Sequence, residues 1–241
     1  MVGRRSLVVM KHVGLNVAAD PFINSAIVSV HGGLVVVVAD DPGMHSSQNE
    51  QDSRVYADFA RIVCFEPANP QEAYDMTREA FDVSERFKIP VMVRLVTRLA
   101  HSRSIVKARQ SKAEKPLDKD KDPTSWTLLP NHARRLWRQL LDIQTDLLVN
   151  AEASRFNSLE LSDDDQGLGV ITTGIARGYY LENLPRLDHA PSHLHIGTYP
   201  IPVSQVRALA EKVDRILVLE EGYPVVERQL RGLLPTPLEI D

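Results

Sequence analysis

The chain has 241 residues, 43% hydrophobic and 25% charged, a globular composition long enough for one large or two ordinary cores. A formal net charge of -4 without a basic stripe argues against nucleic acid as a partner. The longest apolar run, Leu34 to Ala39, is too short to cross a bilayer, and the single cysteine, Cys64, leaves no intrachain disulfide and no cysteine-ligated cluster within the chain, since a cluster takes about four thiolates.

The opening MVGRRSLVVMKH has no small-residue cleavage site, so Ser6 to Met10 reads as a strand and not as a signal peptide. Leu34 to Asp40, Arg61 to Phe65 and Val91 to Val96 are further strands. All four are unbroken apolar runs, the pattern of a parallel sheet covered on both faces. Pro70 to Phe87 is an amphipathic helix with Ala73, Met76, Ala80, Phe81 and Ser84 on one face, Asn69 at the N-cap and Pro70 at the first position. Residues 111–123 are charged and proline-punctuated and read as an exposed linker. Asn131 to Asn150 reads as one helix, with Leu136, Trp137, Leu140, Leu141, Ile143, Leu147 and Leu148 at apolar positions. Beyond an acidic turn at Ser162 to Gln166, strands are expected at Leu168 to Thr173, His193 to Thr198 and Arg215 to Glu220, with helices at Val203 to Lys212 and Val225 to Leu233. The fold class is therefore α/β: two parallel-sheet domains, residues 1–108 and 165–241, joined by a helical connector over 109–164. The first sheet is expected to leave an exposed apolar edge or face.

Chemistry concentrates in two segments. Residues 40–54, DDPGMHSSQNEQDSR, follow a strand and carry many hydrogen-bonding side chains, with only Met44 to pack. Ligands of open α/β sheets bind beyond the carboxyl ends of strands, so the place suits a site. The same residues also suit a solvated turn, with Ser46–Ser47 capping the next helix. The second segment, KHVGLNVAADP, hands a strand over to a helix and places Lys11, His12 and Asn16 there, with Gly14 permitting close approach. An ordinary strand–helix junction reads the same way. Gly32–Gly33 and Gly167-x-Gly169 lack phosphate-loop spacing. Cys64 reads as a buried thiol. His193 and His195 share a strand face without a third ligand, so no metal is expected there. Glu220–Glu221 ends a strand and reads as a solvated loop, with a docking or site role the alternative; Asp163–Asp165 reads as a solvated turn, and Arg134, Arg135 and Arg138 as a solvated helix face rather than an anion site.

Together, KHVGLNVAADP and ADDPGMHSSQNEQDSR resemble the thiamine-diphosphate-binding region of the indolepyruvate:ferredoxin oxidoreductase large subunit. The resemblance runs on through PANPQEAYDMTREAFDVSERFKIPVMVRLVTRLAHS and, more weakly, through LGVITTGIARGYYLE, LHIGTYPIP and ILVLEEGYPVVERQLRGLL. It implies an incomplete pyrimidine-binding domain over 1–108 and a transketolase C-terminal-like domain over 165–241. It implies oxidative decarboxylation of an indolepyruvate-type 2-oxo acid to an acyl-CoA, with electrons passed to ferredoxin. Lys11, His12, Gly14 and Asn16 would face thiamine diphosphate; Ser46, Gln48 and Asn49 would face substrate; His45 would handle protons. The family's activating glutamate would lie upstream of Lys11, where this chain has none, and Mg²⁺ and iron–sulfur clusters would lie on other segments. The implied partners are the rest of the large subunit or a small gamma-type subunit, with ferredoxin and coenzyme A in a cytoplasmic oligomer; the chain alone is expected to be inactive. Three other readings stay open: a non-catalytic remnant or interaction subunit with the same fold, a pyruvate or 2-oxoglutarate enzyme, and an unrelated α/β small-molecule binder.

Overall fold

A computed structural model describes residues 3–111 and 116–231. Residues 112–115 of the expected linker and the part of the expected last helix beyond residue 231 lie outside the described residues.

The first unit opens with β1 (Ser6–Lys11), the short helices α1 (His12–Val17) and α2 (Ala19–Ile27), then β2 (Leu34–Asp40). There follow α3 (Arg54–Phe59), β3 (Cys64–Phe65), α4 (Pro70–Phe87), β4 (Val91–Val96) and α5 (Thr97–Ala100). Two helices make the connector, α6 (Pro130–Asp142) and α7 (Gln144–Glu152). The second unit runs β5 (Ser158–Glu160), β6 (Leu168–Thr173), α8 (Ala176–Asn183), β7 (Ser192–Ile196), β8 (Thr198–Tyr199), α9 (Val203–Lys212), β9 (Arg215–Leu219) and α10 (Val225–Leu230). No helix among the described residues is long and apolar enough to cross a membrane.

The strands form a five-stranded sheet, β1-β2-β4-β3-β8, and a four-stranded sheet, β5-β7-β6-β9. β1, β2, β4 and β3 pair in parallel, as do β6 with β7 and β9. The parallel expectation fails at two places. β5 runs antiparallel to β7, drawing the end of the connector into the second sheet. β8 leaves the second unit and adds an antiparallel edge to the first, beside β3. These strands have three and two residues, too few to show a period.

Val35, Val38, Val91, Met92 and Val93 are buried as two-sided strands require. α4 covers that sheet with Met76, Ala80, Val83 and Ser84; Asn69 caps it, its side chain accepting from Glu72 N at 2.9 Å. The Ser84 hydroxyl donates to the Ile89 carbonyl at 2.5 Å and accepts from Leu34 N at 2.8 Å, tying helix to strand. The helix expected over 131–150 breaks at Ile143. The Leu140 carbonyl accepts there from the side-chain amide of Gln144, at 2.8 Å. Gln144 is the residue whose backbone N–H would take that carbonyl in an unbroken helix. Leu136, Leu140 and Leu147 face inward, whereas Trp137 and Leu141 lie partly in solvent. One apolar core runs through both units, and Phe65 meets Phe156 edge to face across the junction at 5.7 Å. β1 is the outer strand of its sheet, and Leu7, Val8 and Val9 are 50%, 40% and 66% exposed, the apolar edge the sequence anticipates.

Candidate functional site

Because β1, β2 and β4 are parallel neighbours, Lys11, Asp40 and Thr97 leave the sheet on one side, and the two singled-out segments meet there. The chain turns as soon as β2 ends: Met44 N donates to the Asp41 carbonyl at 2.9 Å, with Gly43 and Met44 at positive φ. The buried Asp41 carboxylate accepts from His45 N at 3.2 Å and Ser46 N at 2.8 Å, and from the hydroxyls of Ser47 and Thr97, both at 2.7 Å. The Thr97 and Ser47 hydroxyls, then the backbone N–H groups, hold the Asp41 carboxyl well below the usual carboxylate range. From β1, Lys11 Nζ donates to Ser47 Oγ at 2.6 Å, to Ser46 Oγ at 3.2 Å and to the Ser46 carbonyl at 3.3 Å, and lies 3.5 Å from Asp41 Oδ2. His12 Nε2 lies 3.1 Å from the Asn49 carbonyl oxygen, and Asn16 Oδ1 accepts from the Tyr56 hydroxyl at 2.7 Å.

The predicted residues thus form one wall. His12 is buried; Asn16, His45, Ser46, Gln48 and Asn49 are exposed, and Lys11 and Gly14 lie between. Ser46 and Ser47 do not cap α3, which has no side-chain cap; they are drawn to Asp41 and Lys11. Apart from the Lys11 ammonium, which is bonded to Ser46 and Ser47, the wall consists of amides, hydroxyls and imidazoles, and behind it His12 Nδ1 is buried without a partner. A buried unpaired ring nitrogen beside neutral donors and acceptors fits the edge of a nitrogen heterocycle such as an aminopyrimidine. A diphosphate–metal end asks for a different donor set. Among the described residues no group of three or more His, Cys, Asp or Glu could hold a metal ion.

The far end of the same loop builds something else. Arg94, wholly buried in β4, donates from Nε to Asp40 Oδ2 at 2.6 Å, from Nη1 to Glu66, and from Nη2 to the Glu221 carbonyl at 2.7 Å and Asp52 Oδ2 at 3.3 Å. Arg54 grips Asp52 with Nε at 2.9 Å and Nη2 at 2.5 Å. It also reaches Glu220 Oε2 and the Tyr223 carbonyl, each at 2.9 Å. Tyr199 OH donates to Glu66 Oε2 at 2.7 Å. Burial alone would raise the Asp52 carboxyl, but Arg94 and Arg54 outweigh it and hold it low. At Asp40 burial wins over Arg94, and the carboxyl is raised. Two glycines admit this packing. A Cβ on Gly174 (φ +44) would lie 2.6 Å from Glu66 Cγ, and one on Gly222 (φ +109) would lie 2.7 Å from Asp52 Oδ2. Tyr223 clasps the loop from the second unit, its N–H on Asp52 Oδ2 at 3.1 Å and its hydroxyl on the Glu50 carbonyl at 2.8 Å.

The solvated readings of Glu220 and Asp165 are therefore corrected. Glu220 accepts from Arg54 and from the first N–H groups of α10, and buried Asp165 accepts from the Ser192 hydroxyl at 2.6 Å. His193 and His195 do share a face. Thr172 Oγ1 stands 2.9 Å from His193 Nε2 and 3.0 Å from His195 Nδ1, and the Tyr180 ring lies 4.2 Å from that of His193. Burial, helped by the Arg177 charge, lowers these imidazoles to about 4 and about 3. Cys64 is buried, and burial pushes its thiol up. Sequence reasoning missed Asp41, Tyr56, Glu66, Arg94, Tyr199 and Tyr223. One signal was available: Arg94 interrupts the otherwise apolar VMVRLV, and an arginine inside a two-sided strand needs a buried carboxylate.

Comparison with known proteins shows the family. The family model described as pyruvate flavodoxin/ferredoxin oxidoreductase, thiamine diphosphate-binding, matches residues 34–155. The chain is 39% identical over 231 residues to indolepyruvate oxidoreductase subunit IorA of Methanothermobacter thermautotrophicus, covering 95% of this chain and 37% of that one. It is 36% identical over 236 residues to the subunit of the same name from Archaeoglobus fulgidus, covering 97% and 38%. It therefore spans under two fifths of the length of these relatives. Among solved structures, the 2-oxoglutarate:ferredoxin oxidoreductase of Magnetococcus marinus superposes with a TM-score of 0.64 at 14% identity, over 90% of this chain and 46% of that one. The transketolase of Campylobacter jejuni superposes with a TM-score of 0.52 at 10% identity, over 92% and 29%. At such identities the likeness is one of fold.

Proposed function

Because the chain belongs to the thiamine-diphosphate-binding family of pyruvate flavodoxin/ferredoxin oxidoreductases, we propose that it forms part of a 2-oxo-acid:ferredoxin oxidoreductase of the indolepyruvate type. The observation that carries this reading is the 36–39% identity to indolepyruvate oxidoreductase subunits over nearly the whole chain. In this reading Lys11, His12, Gly14 and Asn16 form the side of the wall toward the aminopyrimidine. Ser46, Gln48 and Asn49 face the 2-oxo acid, and His45 exchanges a proton with it. When bound, thiamine diphosphate supplies a nucleophilic carbon and an electron sink; the protein supplies binding, orientation and electrostatics. Mg²⁺ and the iron–sulfur centres sit on other segments or a partner subunit, and ferredoxin and coenzyme A complete a cytoplasmic assembly.

The charge of the wall favours a monocarboxylate with an apolar side chain. Lys11 is committed to Ser46 and Ser47, and Arg54 is buried among Asp52, Glu220 and Tyr223. No cation of loop 40–54 is left for a second carboxylate of the substrate. The test uses the native assembly containing this chain, supplied with thiamine diphosphate, Mg²⁺, coenzyme A and an electron acceptor. Indolepyruvate is expected to be oxidised with a kcat/KM at least about a hundredfold above that for 2-oxoglutarate, a gap of about 2.7 kcal/mol. An assembly that oxidises no 2-oxo acid overturns the reading.

A further inference from the structure

We propose that Asp41 is a positioning residue of this site, which with Thr97 and Lys11 fixes the His45–Ser47 turn in the shape that receives the 2-oxo acid group. The proposal deepens the reading above and rests on it for the identity of the substrate. Three features carry it.

Besides the Asp41, Thr97 and Lys11 side chains, the turn is held by the Met44 N–H on the Asp41 carbonyl and the Gly43 N–H on Glu50 Oε2 at 2.7 Å, with little apolar packing. Met44, its one apolar side chain, is half exposed, and Gly43 and Met44 both sit at positive φ. Apolar burial offsets little of the entropy of ordering such a segment. Next, Asp41 is saturated. Oδ1 accepts from His45 N and the Thr97 hydroxyl, and Oδ2 from Ser46 N and the Ser47 hydroxyl, while Lys11 faces Oδ2 at 3.5 Å. With both oxygens occupied it has no lone pair directed at a ligand, so it acts through the residues it holds. Last, the contacts come from three parallel strands: Asp41 follows β2, Lys11 ends β1 and Thr97 follows β4. The turn is thereby referred to the rigid sheet and not to its own loop, the condition for presenting His45 and Ser46 at fixed positions.

Asp41→Asn keeps the size of the side chain but sets an NH₂ against two donors. Two readouts separate this proposal from the functional reading beneath it. The first is amide hydrogen exchange in the full chain, which needs no activity. His45 and Ser46 N–H groups are expected to exchange at least about tenfold faster in Asp41→Asn and in Thr97→Val, and at the wild-type rate in Thr97→Ser. The second is kinetics in the native assembly. For indolepyruvate kcat/KM is expected to fall at least about tenfold in Asp41→Asn, with thiamine diphosphate affinity within about threefold of wild type and Thr97→Ser restoring what Thr97→Val loses. Unchanged exchange in Asp41→Asn and Thr97→Val overturns the proposal. So does an equal loss of cofactor and substrate binding, which marks general unfolding of the site. If the wild-type assembly oxidises no 2-oxo acid, the functional reading fails and the exchange rates alone decide whether Asp41 fixes the turn.

Discussion

The loop between β2 and α3 has two ends that obey different physics. At the Gly43–Asn49 end, side chains are mostly exposed and neutral, and the turn is tied to the sheet through the buried Asp41. At the Asp52–Arg54 end they are charged, buried and bonded across the junction of the two units. Spare hydrogen-bonding capacity separates binding groups from scaffold within this one polar stretch. Arg54 and Asp52 have exhausted their hydrogen-bonding capacity on each other, on Glu220 and on Tyr223. The side chains of His45 and Gln48 make no hydrogen bond among the described residues, and only groups with capacity to spare can take a ligand.

Removing one member of the buried network should give the largest effect. Arg94→Met leaves Asp40 buried without its counter-ion and Glu66 with Arg54 alone, at 3.6 Å, which costs about 3–5 kcal/mol. For a chain of this size the unfolding midpoint should fall by about 10 °C or more, in calorimetry of the full chain. A midpoint within about 2 °C of wild type would mean that the ions are not the lock between the units.

The histidine pair of the second unit gives a pH-dependent counterpart. Both imidazoles are depressed from 6.5, to about 4 and about 3, so the folded state holds them neutral while the unfolded chain protonates. Below pH 6.5 the unfolded state binds more protons, and stability is lost as pH falls toward 4. Each histidine contributes a slope of up to about 1.4 kcal/mol per pH unit. Denaturant unfolding between these pH values should show the loss, and His195→Leu should halve the slope. A flat profile would mean that the imidazoles titrate normally.

How far the sequence reveals this arrangement depends on the range of the interaction. β2 and β4 are legible because burial on both faces writes an unbroken apolar run, β1 because its run is equally apolar although the strand is an exposed edge, and α4 because Asn69 and Pro70 mark its start. The third expected strand, Arg61 to Phe65, shrinks to Cys64–Phe65 in the ladder. The loop stands out as a candidate wall because its composition is local. The ionic junction is illegible because its partners are remote: Arg54 and Glu220 are separated by 166 positions, and no periodicity records such a pairing. Asp41 is hidden differently. Its place in the Asp-Asp-Pro-Gly run reads as turn chemistry, and only the fold brings Thr97 and Lys11 to it.

A smaller effect probes the seam between the two ends. Tyr223→Phe deletes the hydroxyl that donates to the Glu50 carbonyl at 2.8 Å and leaves the backbone bond to Asp52 in place. A loss of about 1 kcal/mol is expected, measured by denaturant unfolding. A loss above about 3 kcal/mol would place Tyr223 within the buried lock and not at its margin.

The smallest change in stability should come at the exposed end, and there the comparison is sharpest. His45→Ala and Gln48→Ala remove side chains that hold nothing in the fold, so unfolding free energies should stay within about 0.5 kcal/mol of wild type. If the wall faces substrate, each variant should nonetheless lower kcat/KM of the native assembly at least about tenfold, or about 1.4 kcal/mol of transition-state stabilisation. The two should differ in kind. Losing an imidazole that exchanges protons lowers kcat, whereas losing the Gln48 amide raises KM. Unchanged kinetics in both variants, with the fold preserved, would make residues 43–49 a solvated turn and place the chemistry elsewhere along the carboxyl edge of the sheet.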